Sequence, residues 1–229
     1  MSIDGPNKEI HEWLRGLNTF YKTIQGIKNL RKYASELYIC AEMVVYERNF
    51  FFVIETAKLV KNLGIPRLRV LPLFPLGRAK QMNKRDILSP ESWRSLIENK
   101  FKIQKESGTE IMIDSPLECV VQPEINSTIP RPCPVGFLVM YISANGKIFP
   151  CSLLQDLTLG NIRKNDIESI WNNSKALNEI RNINLLKGKC KSCQYKICCR
   201  GGCRGLAYLI NGDYLCPDPY CWIANPIKK

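Results

Sequence analysis

Cysteine is crowded into the C-terminal part of this chain, and that crowding limits what the chain can fold into. Nine of the eleven cysteines lie at or after Cys133. In a secreted domain such a density indicates disulfides, whereas in the reducing cytosol clustered C-x2-C spacing indicates bound metal. The chain starts without the apolar segment of a secretory signal, and no apolar run reaches the ~18 residues of a membrane span. We therefore expect a cytoplasmic protein whose cysteines bind metal.

Length and composition exclude several classes of protein. The 229 residues, 45% of them hydrophobic and 24% charged, suffice for one ordinary domain or two small ones and are typical of a globular chain. The single histidine, His11, excludes zinc-protease histidine pairs and two-Cys two-His fingers. It also leaves one candidate base for a Ser–His or Cys–His nucleophile, so most hydrolase mechanisms are disfavoured.

The chain is basic, with a formal net charge of +12. Such an excess often indicates a nucleic-acid partner or an anionic membrane surface. Here, however, six basic residues crowd the densest cysteine stretch: Lys187, Lys189, Lys191, Lys196, Arg200 and Arg204. Two thiolate-bound four-iron clusters, each carrying about two negative charges, would lower the net charge to roughly +8. We expect the basic residues to offset metal sites, and a zinc module binding nucleic acid remains an alternative.

Seven cysteines form a regular series of spacings. The first two are separated by twelve residues, a glycine and four more residues, then comes C-x2-C-x5-C-x3-C, and one cysteine follows near the end. In order they are Cys133, Cys151, Cys190, Cys193, Cys199, Cys203 and Cys221. Four thiolates are the usual ligands of a tetrahedral zinc or a cubane iron-sulfur cluster. The seven cysteines are therefore one short of the eight that two such sites would need. Spacing alone leaves open which cysteines share a site.

Residues 1–115 alternate strand-like and helix-like segments. Strands are predicted at 37–46, 67–74 and 110–114, with a helix from Asn49 as N-cap to Leu63 and another between Ser89 and Gly108. This order builds a parallel sheet with covering helices, either open or as part of a barrel. Parallel strands are normally buried on both faces, so a sheet without earlier strands should have an exposed edge or a missing partner.

The cysteine-rich part has a different pattern. Residues 137–143 and 147–151 flank Asn145-Gly146, which predicts a β-hairpin that brings Cys151 near Cys133. A helix is predicted over residues 167–182 with Asp166 at its N-terminus.

The seven-cysteine series resembles the SPASM domain that ends many radical S-adenosylmethionine enzymes. Supporting matches are GNI at 160–162, IW at 170–171, CRGGCRGLAY at 199–208 and DPYC at 218–221. The resemblance implies two auxiliary 4Fe-4S clusters. One would use Cys190, Cys193, Cys199 and Cys221, and the other Cys133, Cys151 and Cys203. The fourth ligand of the second cluster would be Cys119, or one iron would stay open.

The four remaining cysteines are not part of this series. We expect Cys40 to be a small buried hydrophobe and Cys198 to point away from its neighbour Cys199. Cys216 competes with Cys221 for the last ligand position, and the DPYC match favours Cys221.

The first 115 residues resemble the barrel of the same enzymes. The resemblance rests on SIDGP at 2–6, with His11 and Arg15 behind it, and on PLGRA at 75–79. It implies that Ser2, Asp4 and Arg15 approach S-adenosylmethionine. The alternative is that Gly5-Pro6 is only a turn with Asp4 as its cap.

One departure from the family pattern is decisive for activity. The C-x3-C-x2-C motif of the cluster that cleaves S-adenosylmethionine occurs nowhere in the 229 residues. We expect the chain alone not to cleave this cofactor and to be the C-terminal part of such an enzyme, using S-adenosylmethionine only when completed by an N-terminal fragment or a partner enzyme. Ser152 replaces the aspartate of sulfatase-maturing relatives, which disfavours that activity.

The sequence thus predicts an α/β protein: residues 1–118 form a partial radical-SAM-type (β/α) barrel, its C-terminal half, and residues 119–229 form a cysteine-rich α+β SPASM domain with a β-hairpin. The predicted function is support of radical modification of a peptide or protein substrate, with a tetrapyrrole as the less favoured substrate, through two 4Fe-4S clusters. A non-catalytic iron-sulfur electron carrier or adaptor is the alternative. The catalytic residues remain unknown.

Overall fold

The structure is a computed structural model that describes residues 1–121 and 133–223. The chain divides into two units, Met1–Asp114 and Ser115–Lys229. The boundary predicted from the sequence was after residue 118.

The first unit alternates helices and parallel strands. In chain order the elements are α1 (Lys8–Arg15), α2 (Phe20–Tyr33), β1 (Cys40–Val45), α3 (Val53–Asn62), β2 (Arg67–Pro72), α4 (Pro90–Glu98), α5 (Lys100–Ser107) and β3 (Glu110–Ile113). Short 3-10 helices span Phe50–Phe52, Gly77–Gln81 and Lys84–Asp86. The strands lie in the order β1-β2-β3, with both pairs parallel.

Burial alternates along these strands. Ala41, Met43 and Val45 are buried on β1 while the residues between them are half-buried, and β2 repeats the pattern. The sheet of this unit is therefore buried on one face and half-buried on the other. One face packs on α3 and α5 and forms the core, and the other carries charged side chains.

The first three residues continue the sheet beyond β1. Ile3 N–H donates to Glu42 O at 2.8 Å, and Glu42 N–H donates to Met1 O at 2.7 Å. These bonds form an isolated parallel bridge between Ser2 and Glu42. The N-terminal segment therefore pairs with the β1 edge of the sheet.

Local capping signals fix several helix ends. Ser89 Oγ accepts from Ser92 N–H at 3.0 Å at the start of α4, and Gly108 ends α5 in the left-handed conformation, as predicted. The single predicted helix between them is instead divided at Asn99, whose side-chain amide donates to Ser95 O at 2.8 Å.

Asn49 is not the N-cap that the sequence predicted. Its side chain makes no cap hydrogen bond, and α3 begins only after a short 3-10 turn. The fully buried amide instead donates to Asp4 O at 2.9 Å and to Val44 O at 2.8 Å, while its oxygen accepts from Tyr46 N–H at 2.8 Å. Asn49 thus joins the end of β1 to the segment that precedes α1.

The second unit contains a small antiparallel sheet and short helices. Its elements are α6 (Glu118–Val121), β4 (Tyr141–Ile142), β5 (Lys147–Phe149), β6 (Gly160–Asn161), α7 (Ile167–Asn173), α8 (Lys175–Arg181), α9 (Lys196–Cys199) and α10 (Arg204–Asn211). Short 3-10 helices span Ile183–Leu185 and Gly188–Ser192. The strands lie in the order β4-β5-β6.

The hairpin and the helix predicted here are both shorter than expected. Tyr141 pairs with Phe149 and Ile142 with Ile148 around the Asn145-Gly146 turn, and residues 137–140 lie outside the ladder. Asp166 caps α7 by accepting from Ser169 N–H at 2.7 Å, as its position predicted. The helix is interrupted at Ser174, whose extended backbone ends α7 and starts α8. Across the described ranges, no helix combines the length and apolar character of a membrane span.

Replacing Asn49 with alanine should destabilise the first unit by about 2–4 kcal/mol, because three backbone groups lose their buried partner. Chemical denaturation followed by circular dichroism measures this loss. Asn29→Ala is the matched control: among the residues that the structure describes, this exposed amide bonds only Gln25, so its change should stay within about 0.5 kcal/mol. Equal effects of the two substitutions would contradict the linking role of Asn49.

Candidate metal centre

Four of the seven cysteines surround one cavity in the second unit. Cys190 lies in the 3-10 helix Gly188–Ser192, Cys193 follows it directly, and Cys199 is the last residue of α9. These three line the cavity together with Cys221. We call Cys190, Cys193, Cys199 and Cys221 the four-thiol group.

The thiols of this group influence one another electrostatically. Burial, and then the charges of the other thiols in the group, raise the pKa of Cys190 to about 12. The pKa of Cys199 is also raised, mainly by burial and further by Cys221 and Cys193. Burial and mutual repulsion both disfavour several thiolates in one small space. A bound cation would relieve both effects, and its binding would displace protons.

The other three cysteines form a second group, which we call the three-thiol group. Cys133 and Cys151 belong to a buried apolar cluster with Val135, Leu154 and Ile180. Cys203, at the N-cap of α10, lies close enough that the charges of Cys133 and Cys151 add to burial in raising its pKa well above the ordinary value. Burial, and to a smaller extent Cys133, raises the pKa of Cys151 to about 11. The structure thus brings together the three cysteines that the resemblance assigned to one cluster.

Backbone N–H groups point at the sulfurs of the three-thiol group. Leu153 N–H donates to Cys151 Sγ at 3.3 Å, and Leu206 N–H donates to Cys203 Sγ at 3.4 Å. Backbone bonds from Val135 and Arg204 likewise favour the thiolate of Cys133, although burial outweighs them and raises its pKa. Donors of this kind suit sulfurs that carry negative charge.

A glycine pair separates the two groups. Cys199 ends α9, Arg200 follows in the left-handed conformation, and Gly201 and Gly202 both have positive φ, of 82° and 78°. Cys203 then starts α10. The C-x3-C spacing is therefore a turn between two helices, which explains why Cys199 and Cys203 belong to different groups.

The glycines also make room for two buried charged side chains that the sequence patterns did not assign. A Cβ on Gly201 would lie 2.6 Å from Arg204 Nη2, and a Cβ on Gly202 would collide with the Asp218 side chain. Asp218 Oδ2 accepts from Cys203 N–H at 2.7 Å and Oδ1 accepts from Tyr220 N–H at 2.9 Å. Arg204 lies within the CRGGCRGLAY match and Asp218 within the DPYC match. The sequence signal for the burial of Arg204 was a charged residue close to two adjacent glycines.

The cysteines outside the series have other surroundings. Cys119 on α6 and Cys198 on α9 form a disulfide with their Cα atoms 6.2 Å apart, and Cys198 is not among the residues that line the cavity. The structure therefore does not bring Cys119 to the three-thiol group, where it was a candidate fourth ligand. Cys40 is half-buried on β1 rather than buried, and Cys216 does not line the cavity that contains Cys221.

The donor set fits iron-sulfur clusters. The two groups contain seven thiols in all, none of which is in a disulfide. In residues 1–121 and 133–223, no three His, Cys, Asp or Glu side chains are arranged to hold a single metal ion. Each thiolate of a four-iron cluster binds a different iron, so its sulfurs surround a larger object than one ion.

Some of the basic side chains near the thiols interact with other residues of the protein. Lys187 Nζ pairs with Asp213 Oδ2 at 2.6 Å, and the Arg200 guanidinium lies 4.0 Å from the centre of the Phe137 ring. Arg204 is buried. Lys187, Arg200 and Arg204 thus interact or are buried within the protein, whereas Lys189 and Lys191 are exposed.

In the first unit, Asp4 is the centre of a buried polar network. Its carboxylate pairs with Arg15 and accepts from Val44 N–H at 2.8 Å, and its backbone N–H donates to His11 Nδ1 at 3.1 Å. Asp4 is therefore more than the cap of a turn. Ser2 is half-buried beside it in the bridge to β1. Burial lowers the pKa of His11, which agrees with its role as a neutral acceptor.

A row of charges on the half-exposed face of the sheet was not predicted from the sequence. Arg69 on β2 pairs with Glu42 at 2.9 Å and with Asp114 at 2.6 Å. The alternation of charged and apolar residues within the strands could have predicted this row, because side chains two residues apart lie on the same face of a sheet.

Comparison with known proteins agrees with these groups. The SPASM family, described as an iron-sulfur cluster-binding domain, matches residues 133–194. An AdoMet-dependent heme synthase of Methanosarcina barkeri (strain Fusaro / DSM 804) is 34% identical over 245 aligned positions, which cover 100% of this chain and 68% of the synthase. A PqqA peptide cyclase of Bradyrhizobium diazoefficiens is 35% identical over 107 positions, covering 44% of this chain and 28% of the cyclase.

Solved structures are similar in fold. Streptococcus suis SuiB bound to its precursor peptide SuiA superposes with a TM-score of 0.72 at 19% identity, covering 95% of this chain and 51% of SuiB.

Together, the thiol groups and the matching domain define an iron-sulfur cluster-binding protein of the SPASM class. The chain belongs to the radical S-adenosylmethionine enzymes that carry this domain, and it spans about two thirds of the length of the heme synthases that it matches.

Replacing Gly202 with alanine should lower the free energy of unfolding by at least about 2 kcal/mol more than replacing Gly212. Both glycines have positive φ, so both substitutions carry backbone strain of about 1–2 kcal/mol. Only at Gly202 does the new methyl group meet buried Asp218, since nothing lies within 4 Å of the Gly212 position. Thermal unfolding of both variants measures the difference, and equal losses would show that the Asp218 contact is unimportant.

Proposed function

We propose that this chain forms the auxiliary-cluster portion of a radical S-adenosylmethionine enzyme and binds two 4Fe-4S clusters. The four-thiol group would hold one cluster completely, and the three-thiol group would hold the other. Because Cys119 is paired with Cys198, the structure supports an iron without a fourth cysteine in the second cluster.

The observation that carries this proposal is the grouping of the thiols. Spacing left the partition open, yet the fold collects Cys190, Cys193, Cys199 and Cys221 around one cavity. Cys133, Cys151 and Cys203 are close to one another in a separate, largely apolar place. These are the two ligand sets that the family resemblance implied.

When bound, such clusters pass single electrons or bind a substrate group at an open iron. The chain's own contribution is to bury the thiols, to direct backbone N–H groups at their sulfurs and to exclude water from the three-thiol group through its apolar neighbours. The N–H groups favour the thiolates and burial disfavours them, so a bound cation would be needed to keep the ligands deprotonated.

Cofactor cleavage would require a segment that these residues do not contain. The sequence has no C-x3-C-x2-C motif. We propose that an N-terminal radical S-adenosylmethionine fragment, or a complete partner enzyme, supplies that cluster, and that the parallel sheet of the first unit belongs to a barrel shared with it. Asp4 and Arg15, with Ser2 beside them, would then help to bind S-adenosylmethionine.

Two substrate classes have support. A peptide is supported by the similarity to a PqqA peptide cyclase and by the fold shared with SuiB, whose structure contains a precursor peptide. A tetrapyrrole is supported by the identity to a heme synthase, which extends over the whole chain. The identity to the heme synthase covers more of this chain than the identity to the peptide cyclase. We therefore favour a tetrapyrrole substrate more strongly than the sequence patterns did.

Anaerobic reconstitution with iron and sulfide should give a brown protein with about eight irons per chain, since each cubane contributes four. Cys190→Ala and Cys151→Ala should each lower the content to about four, measured by colorimetric iron analysis. Cys40→Ala is the control and should keep about eight, because Cys40 lies on β1 in the first unit, outside both thiol groups. Colourless protein that contains only zinc would reject the proposal and favour the zinc-module alternative.

The chain alone, given S-adenosylmethionine and a reductant, should form no 5′-deoxyadenosine. Adding an N-terminal radical S-adenosylmethionine fragment that carries C-x3-C-x2-C should restore formation, measured by liquid chromatography. Stimulation by the substrate of the Methanosarcina heme synthase would support the tetrapyrrole, and stimulation by the PqqA peptide would support the peptide. No restoration with any added segment or complete enzyme would instead favour the non-catalytic electron carrier or adaptor.

A further inference from the structure

Arg204 is a buried cation between the two thiol groups. It follows Cys203 directly at the start of α10 and is 1% exposed. Its Nη1 donates to Tyr214 O at 2.7 Å and to Cys216 O at 3.1 Å, and its Nε donates to Gly202 O at 3.3 Å. Three backbone carbonyls therefore hold the guanidinium in one orientation.

The remaining nitrogen of this guanidinium has no acceptor. Arg204 Nη2 is fully buried and finds no hydrogen-bond partner among the residues that the structure describes. A buried unsatisfied donor is costly, and more so when it is charged, so an acceptor for it is expected. Its surroundings indicate where such an acceptor would be.

Nη2 lies against the backbone that borders the four-thiol cavity. A Cβ on Gly201 would be 2.6 Å from Nη2, and Gly201 itself lines the cavity with Cys190 and Cys199. Only a residue without a side chain leaves this space to the guanidinium. The orphan N–H thus lies beside Gly201, which separates it from the cavity of one proposed cluster.

The charge of Arg204 acts on thiols of both groups. Its guanidinium is close enough to Cys190 and Cys199 in one group, and to Cys133 in the other, for its charge to act on their sulfurs. A guanidinium stays charged at any pH that a protein tolerates, so this is a permanent positive charge.

We propose that Arg204 donates a hydrogen bond from Nη2 to a sulfur of the cluster held by the four-thiol group and thereby raises that cluster's reduction potential. This inference rests on the proposed function, since it requires the cluster. Reduction adds one electron to an already anionic cluster, and both the N–H and the positive charge stabilise the added charge. Arg204 is in this sense a positioning and tuning residue rather than a ligand.

Arg204→Gln and Arg204→Lys test this role in the reconstituted chain. Redox titration monitored by electron paramagnetic resonance should show that Arg204→Gln lowers the equilibrium constant for reduction of one cluster about tenfold, which is about 59 mV for a one-electron couple. Arg204→Lys keeps the charge but loses the planar fork, so its potential should fall between that of Arg204→Gln and that of the wild type. Arg200→Gln is the control: it removes an equal charge from the same turn, at a side chain that lies over Phe137, and should leave both potentials unchanged.

A measurement on the wild type keeps the test independent of how the variants fold. Protein made with arginine labelled with ¹⁵N in the guanidinium should show a nitrogen coupling to the reduced cluster in pulsed paramagnetic resonance, and Arg200→Gln should retain it. Eight irons without this coupling, or equal potentials in wild type and Arg204→Gln, would overturn the role of Arg204 while leaving the cluster proposal intact. A wild-type chain that takes up no iron would overturn both.

Discussion

The turn at Gly201 and Gly202 is the constraint on which the second unit depends. Three successive residues with positive φ, Arg200, Gly201 and Gly202, end α9 and start α10 in a new direction. Cys199 and Cys203, four residues apart in the sequence, therefore belong to different groups. The missing side chains also leave room for a buried guanidinium and a buried carboxylate. Asp218 in turn ties the loop before Cys221 to the backbone of Cys203. This short turn therefore determines which cysteines share a group and makes room for the buried charges of Arg204 and Asp218. Through Asp218 it also helps to position Cys221.

The first unit has its own polar centre. Asp4 and Asn49 join the N-terminal segment to the end of β1 through buried hydrogen bonds, while Arg69 bridges the strands on the half-exposed face. Ordinary apolar packing on one face of the sheet supplies the core. The other face is thus free to carry charged groups, which a sheet buried on both sides would exclude.

Features with a local physical cause were predictable from the sequence. Ser89, Gly108 and Asp166 act within one turn of their own position, and the structure uses each as expected. The grouping of the sulfurs came from the family resemblance, because spacing alone cannot decide it. Asn49, the breaks at Asn99 and Ser174, and the pairing of Cys119 with Cys198 depend on residues distant in sequence or on small differences between competing backbone conformations. Arg204 was counted only among the basic residues expected to offset metal sites, since its burial follows from the glycine turn and not from its neighbours along the chain.

The central claim is that seven sulfurs hold two separate iron clusters in the partition that the fold displays. Crystals of the anaerobically reconstituted chain, measured at the iron absorption edge, test it most directly. We predict two iron peaks, one enclosed by the sulfurs of Cys190, Cys193, Cys199 and Cys221 and one by those of Cys133, Cys151 and Cys203. A single peak, ligands drawn from both groups, or sulfurs of the seven joined in disulfides would contradict the account.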